Sequence, residues 1–207
     1  MGIKQRRERE REATQQAILQ AALEIATEEG WQAVTIRRVA ERIEYSPSAL
    51  YKYFEDKEDI LRTLLLQRFQ HIVAVLERVA DQEQHPEERL LQMASAYWDF
   101  AWHQPTVYQL MFDLKGKIHE VDEAKAAFLV VRSAIEQWSR VCGVKINDLD
   151  QAVEMIWATM HGFVALALAQ YIPGGPTRAK ETLMQAVSDL LLGWKTRLDS
   201  PLTRNDH

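Results

Sequence analysis

Between Thr35 and Lys57 the chain gathers Arg37, Tyr45, Ser46, Ser48, Tyr51, Lys52, Tyr53 and Lys57 within one short stretch. These hydroxyl, phenol, guanidinium and ammonium groups are hydrogen-bond donors of the kind that engage phosphate oxygens and base edges. Two short helical patterns around a tight break hold them. Thr35 can cap the first helix, which sets Ile36, Val39, Ala40 and Ile43 on one face. Ser46 can cap the second, and Pro47 occupies its first helical position, where a missing N–H costs nothing. Leu50 and Phe54 form its inward i, i+4 pair, and Ser48, Ala49, Tyr51, Lys52 and Tyr53 its outer face. The pattern predicts a helix-turn-helix whose second helix, about two turns long, enters a DNA major groove.

Elsewhere the chain offers apolar binding chemistry rather than catalysis. It has no nucleophile elbow, no Gly-rich phosphate loop and no paired carboxylates in a defined frame, so neither an enzyme nor a cofactor is expected. Trp157 and His161 share a helix face at i, i+4, and Gly162 leaves room for a close helix approach. His161 reads equally as a core histidine or as the wall of a ligand cavity. No second ligand stands at i+3 or i+4 from it, so no metal site is expected. Trp98, Trp102, His103, Tyr108, Met111, Phe112 and Phe128 complete an aromatic and methionine-rich set. Such sets line cores, and they also line pockets for apolar ligands.

Nine helices must position these residues. Sustained period-2 alternation is absent, and glycines and prolines sit at breaks, so the fold class is all-α. The first helix is expected from Thr14 to Glu29, the fourth from Asp56 to Ala80 and the fifth from Pro86 to His103. A short sixth reaches Leu114, and the seventh covers His119 to Val141. The eighth runs from Leu149 to Tyr171 and the ninth from Thr177 to Leu198, on either side of Pro173-Gly-Gly-Pro176. Met155 to Ile172 carries no Asp, Glu, Lys or Arg over 18 residues, which is borderline for a membrane span. Its Thr159, His161, Gly162 and Gln170 point instead to a core or subunit-interface helix, with no membrane contact.

With 207 residues, 47% hydrophobic, the chain holds one large domain or two small ones, and its lone Cys142 fits a reducing cytoplasm. No apolar run follows the first charged residues, so no secretory signal is expected. Residues 1–57 carry ten Lys/Arg and ten Asp/Glu, and the net charge of −5 falls entirely in residues 58–207. DNA affinity must therefore come from the placement of charge. The run from Lys4 to Arg11 is either a mobile arm or an early helical extension. It either reaches a minor groove or phosphates, or pairs its own alternating charges in solvent.

The strings Thr35-Ile-x-x-Val-Ala40 and Ser46-Pro-x-x-Leu-Tyr-x-Tyr-Phe54, with Lys57, Glu58 and Leu61, resemble the tetracycline-repressor (TetR) family of bacterial transcription regulators. Ala17 to Gly30 looks like that family's first helix, and Trp157-x-x-x-His161-Gly162 resembles its Trp-His-Gly type of C-terminal domain. Two departures fall in the turn. Glu44 stands where the family usually has glycine, whose positive φ a glutamate does not adopt freely, and Tyr45 is bulkier than the usual small aliphatic.

The resemblance implies a DNA-binding domain over residues 1–57 and an effector-binding and dimerisation domain over 58–207. It places Thr35 near a phosphate and makes Tyr51, Tyr53 and Lys57 phosphate contacts. Base reading falls to Arg37, Tyr45, Ser46, Ser48, Ala49 and Lys52. The effector set is Trp98, Trp102, His103, Tyr108, Met111, Phe112, Phe128, Trp157 and His161. A homodimer pairs through Leu183, Val187, Leu190, Leu191 and Trp194 together with the eighth helix. The function implied is a cytoplasmic repressor released from a palindromic double-stranded DNA operator by a small hydrophobic or planar effector. The alternative keeps the DNA reader and makes the C-terminal domain a dimerisation or protein-docking module without an effector.

Overall fold

The computed structural model describes residues 2–83, 85–112 and 122–196, which form nine α-helices and one 3₁₀ turn. The helices are α1 (Ile3–Glu29), α2 (Ile36–Arg42), α3 (Pro47–Leu50), α4 (Lys57–Gln82), α5 (Pro86–His103), α6 (Pro105–Met111), α7 (Asp122–Cys142), α8 (Leu149–Leu168) and α9 (Gly175–Thr196). The 3₁₀ turn is Trp31–Ala33. The described residues divide into two compact units, one comprising residues 2–68 and 104–112, the other residues 69–83, 85–103 and 122–196. The division falls at Arg68, inside α4, against the boundary expected at Lys57, and residues 104–112 group with the first unit.

In the first unit, Ile18, Ala22 and Ile25 of α1 pack with Val39 and Ala40 of α2 and Leu50 of α3 in a core from which water is excluded. Ile18, Ile25, Val39 and Leu50 each contribute roughly 1.5–3 kcal/mol by burial. Ion pairs at the rim fasten α2 to α1. Arg42 reaches Glu28 through two hydrogen bonds of 2.6 and 2.8 Å, and Arg38 pairs with Glu29. These guanidinium contacts hold the Glu28 and Glu29 carboxyls below the usual carboxylate range.

Thr35 caps α2 by accepting from the Arg38 N–H at 3.2 Å. Ser46 sits at the N-cap of α3 but makes no capping bond, contrary to the expectation; its Oγ lies 3.0 Å from Ser48 Oγ. The helix of α3 closes after one turn and continues as the turn 51–53, shorter than the two turns expected. Asp56 accepts from Asp59 N–H at 2.8 Å, capping the start of α4, and Asp59 accepts from the preceding Glu55 N–H at 3.1 Å.

In the second unit, Ile135 and Trp138 of α7 and Leu183, Val187 and Leu191 of α9 are fully buried. Trp138 and Trp194 meet at 6.1 Å between ring centroids. Glu87 of α5 accepts from the Trp138 indole at 3.3 Å and pairs with Lys195, so its carboxyl is held below its ordinary range. Buried Arg89 donates to the Glu83 carbonyl at 3.0 and 2.7 Å and to Gln137, closing the connection between α4 and α5.

The expected subunit interface on α9 requires correction. Leu183, Val187, Leu191 and Trp194 face the interior of their own unit, and Leu190 is half-buried. An i, i+3, i+4 stripe satisfies a core as well as an interface, and here the core takes it. Open apolar surface lies on α8, and on α9 at Leu192, which is exposed. By length and composition α8 could cross a membrane, yet only 33% of its apolar window is buried in its unit. Trp157 and Leu166 are 42% and 49% exposed on it.

α8 stops earlier than Tyr171 because Gln170 turns left-handed at φ 60°. The end expected for α6 at Leu114, the start of α7 at His119 and the end of α9 at Leu198 lie outside the described residues.

Candidate nucleic-acid interface

The α2–α3 turn positions the whole reader. Ile43 ends α2, Glu44 follows at φ 59°, and Tyr45 N–H returns to the Ala40 carbonyl at 2.9 Å while Glu44 N–H reaches Glu41 at 3.3 Å. This bond pair defines a Schellman end, in which the left-handed residue is usually glycine. The turn therefore keeps the geometry a glycine would give, and Glu44 carries a left-handed backbone at a cost of roughly 1 kcal/mol.

Leu50 and Phe54 are buried beneath α3 as expected, so the opposite face is open. Tyr51 and Tyr45 are 59% and 45% exposed; Ser46, Ser48 and Lys52 are exposed; Ala49 and Tyr53 are half-buried. Two expected contacts are already engaged within the unit. Arg37 Nε donates to Glu41 at 2.8 Å, so its guanidinium is a neutralised pair on an exposed face. Lys57 Nζ donates to the Trp31 carbonyl at 2.8 Å, leaving two of its three N–H groups for another acceptor.

The effector candidates divide between the units. Tyr108, Met111 and Phe112 belong to the first, where the Tyr108 and Phe112 rings meet at 4.7 Å. In the second, Trp98 and Trp102 stack at 5.7 Å with 6° between their planes. They line a groove of about 690 Å³ between α5 and α9, with Leu91, Thr177, Lys180 and Met184 among its other walls. Lys180 Nζ grips both carboxylate oxygens of Asp99, at 2.8 and 2.9 Å. His103 is exposed, with Nδ1 2.7 Å from the Asp99 carbonyl. Phe128 is half-buried on α7. Trp157 stands on the open face of α8, not in the interior. His161, on the same helix, is partly buried, and burial pushes its pKa below the ordinary imidazole value. Among the described residues no group of three or more His, Cys, Asp or Glu is placed to hold a metal ion.

Residues 18–64 match the family of bacterial regulatory proteins, tetR family, and residues 90–190 match the tetracyclin repressor-like C-terminal domain. The chain belongs to the tetR family. The HTH-type transcriptional repressor KstR of Mycobacterium tuberculosis is 27% identical to it over 184 residues, 87% of this chain and 70% of that protein. A protein with unknown function from Rhodococcus sp. RHA1 shares the fold at a TM-score of 0.78 and 22% identity, covering 87% of this chain and 95% of that one. The regulator FadR from Bacillus subtilis, in complex with stearoyl-CoA, does so at a TM-score of 0.72 and 16% identity, covering 83% of this chain and 96% of its own.

Of the two readings of Lys4 to Arg11, the early helical extension is the one found. The helical state of residues 3–13 has no apolar signal, since every side chain from Lys4 to Ala13 is exposed. The groove partners contributed by α9, Lys180 and Met184, lie off its apolar stripe and were not among the expected site residues.

Proposed function

We propose that this TetR-family chain is a cytoplasmic, homodimeric transcriptional repressor that leaves a palindromic operator when a small apolar or planar ligand binds its second unit. The observation that carries the reading is the donor-rich face of α3, with Tyr45, Ser46, Ser48, Tyr51 and Lys52 exposed over a core anchored by Leu50 and Phe54. Ser48, Ala49 and Lys52 would meet base edges, Ala49 through a thymine methyl, while Tyr51, Tyr53 and Lys57 would hold phosphates. One α3 covers too few base pairs for an operator, so two copies related by a two-fold axis are needed. The open face of α8, with Trp157, Gly162 and Leu166, is the apolar surface for that pairing.

The stacked Trp98 and Trp102 rings give a planar or apolar ligand a surface, in a groove of ordinary ligand-site size. The stearoyl-CoA bound by FadR supports an apolar effector, and KstR, a repressor, supports the sign of regulation. Because α4 belongs to both units, it is the covalent route by which a ligand in the second could act on the first. The ligand must prefer the state that does not bind DNA, since equal affinity for both states shifts nothing.

The rival reading, a C-terminal unit that dimerises or docks a protein without a small-molecule effector, uses the same exposed α8 face. A thermal-shift screen of acyl, sterol-like and planar aromatic compounds, followed by operator release, separates the two. A hit that stabilises wild type but not Trp98→Ala, and lowers operator affinity, supports the first. A compound set that neither stabilises the protein nor releases operator supports the second.

A further inference from the structure

The cations of the first unit are not equally available. The three arginines of α2 are each committed to an acid, Arg37 to Glu41, Arg38 to Glu29 and Arg42 to Glu28. Lys57 gives one of its three N–H groups to the Trp31 carbonyl and keeps two for another acceptor. Arg6 pairs with Glu10 at 2.8 Å. Among the described residues up to Lys57, the side chains of Lys4, Arg7, Arg9, Arg11 and Lys52 make no hydrogen bond or ion pair. A segment that is neutral by count thus has its uncommitted positive charge concentrated at the start of α1 and on the reader.

Helical geometry sorts that charge further. With 3.6 residues per turn, Lys4, Arg7 and Arg11 fall on one face at i, i+3 and i+7, and Arg9 falls on the opposite face. Arg7 and Arg11 line a cleft of about 650 Å³ whose other walls include Thr14, Tyr45, Lys52 and Tyr53. Glu10 also lines it, its carboxylate taken by Arg6. The cleft is continuous with the α3 face, because Tyr45, Lys52 and Tyr53 belong to both. Arg7 and Arg11 are about 6 Å apart along the helix axis, close to two steps of a strand that rises 3.4 Å per nucleotide.

Resting on the DNA-binding reading above, we infer that the N-terminal turns of α1 form a fixed second wall of the DNA site, in which Arg7 and Arg11, with Lys52, clamp the phosphodiester backbone beside the base pairs met by α3. The element is a helix, not a flexible arm, so it adds phosphate contacts without base preference and fixes the register of α3 on the duplex.

The test uses the full-length protein and an operator recovered by selection, with affinity measured across a salt series and on an unrelated duplex. Arg7→Gln/Arg11→Gln is expected to weaken binding to both duplexes by the same factor. It should make the slope of log affinity against log salt shallower by about 1.8 per protomer, at about 0.9 per phosphate. Arg7→Lys/Arg11→Lys should keep the slope, and Arg9→Gln, on the far face, should leave it nearly unchanged. An unchanged slope in the double Gln variant, or an equal loss from Arg9→Gln, overturns the clamp. If Tyr51→Ala abolishes operator binding while the double Gln variant behaves as wild type, the DNA-binding reading stands and only the clamp falls. A wild-type protein that binds no duplex overturns both.

Discussion

Lys57 Nζ, at the first residue of α4, donates to the carbonyl oxygen of Trp31 at 2.8 Å, and the Trp31 indole N–H donates in turn to the Thr106 carbonyl at 3.0 Å. One tryptophan thus joins the start of α4, the end of α1 and the start of α6 within the first unit. Lys57→Met leaves the half-buried Trp31 carbonyl without this charged donor, and should lower stability by about 1–2 kcal/mol in urea unfolding. The same variant should show a shallower salt dependence of operator binding; an unchanged slope would mean that Lys57 touches no phosphate.

Glu44 offers a test of the turn. Its φ of 59° is favourable only for glycine, and Glu44→Gly releases that strain against a modest rise in unfolded-chain entropy. The variant should be more stable by roughly 0.5–1 kcal/mol, read as a higher urea midpoint with unchanged m-value. A less stable variant would show that the glutamate side chain contributes more than its backbone costs.

His161 gives a signed pH dependence. Burial lowers its folded-state pKa below the unfolded value of 6.5, so the folded state disfavours the imidazolium. Its contribution is therefore fully present above pH 6.5, is lost as pH falls from there through the folded pKa, and levels off below it. Urea midpoints at pH 8 and pH 5 should differ by less in His161→Gln than in wild type.

The two apolar surfaces of the α8–α9 pair should respond differently. Leu183→Ala opens a cavity in a fully buried site and should cost about 2–5 kcal/mol. Leu166→Glu, at a half-exposed site on α8, should leave monomer stability nearly unchanged and shift sedimentation toward monomer. Dimers that survive Leu166→Glu would remove α8 from the interface.

Much of the reader was legible because its signals are local. The Thr35 cap, Pro47 at the first turn of α3 and the Leu50–Phe54 pair are set by neighbours within a few residues, and α5 runs between Pro86 and His103 as its flanking prolines predict. The start of α1 was legible only as one of two alternatives, because helix formers and the Arg6–Glu10 pair carry it rather than burial. Nor could periodicity assign the α9 stripe. Leu183, Val187 and Leu191 recur at helical spacing whether the apolar partner is their own unit or a second copy. Which arginines are free was equally invisible, since the partners of Arg38 and Arg42 lie on another helix.

The most direct measurement is selection of random duplex DNA by the purified protein at low salt, followed by sequencing. The account predicts a palindrome with half-sites about one helical turn apart, roughly 34–36 Å, bound by a dimer. A folded dimer that enriches no sequence would contradict it.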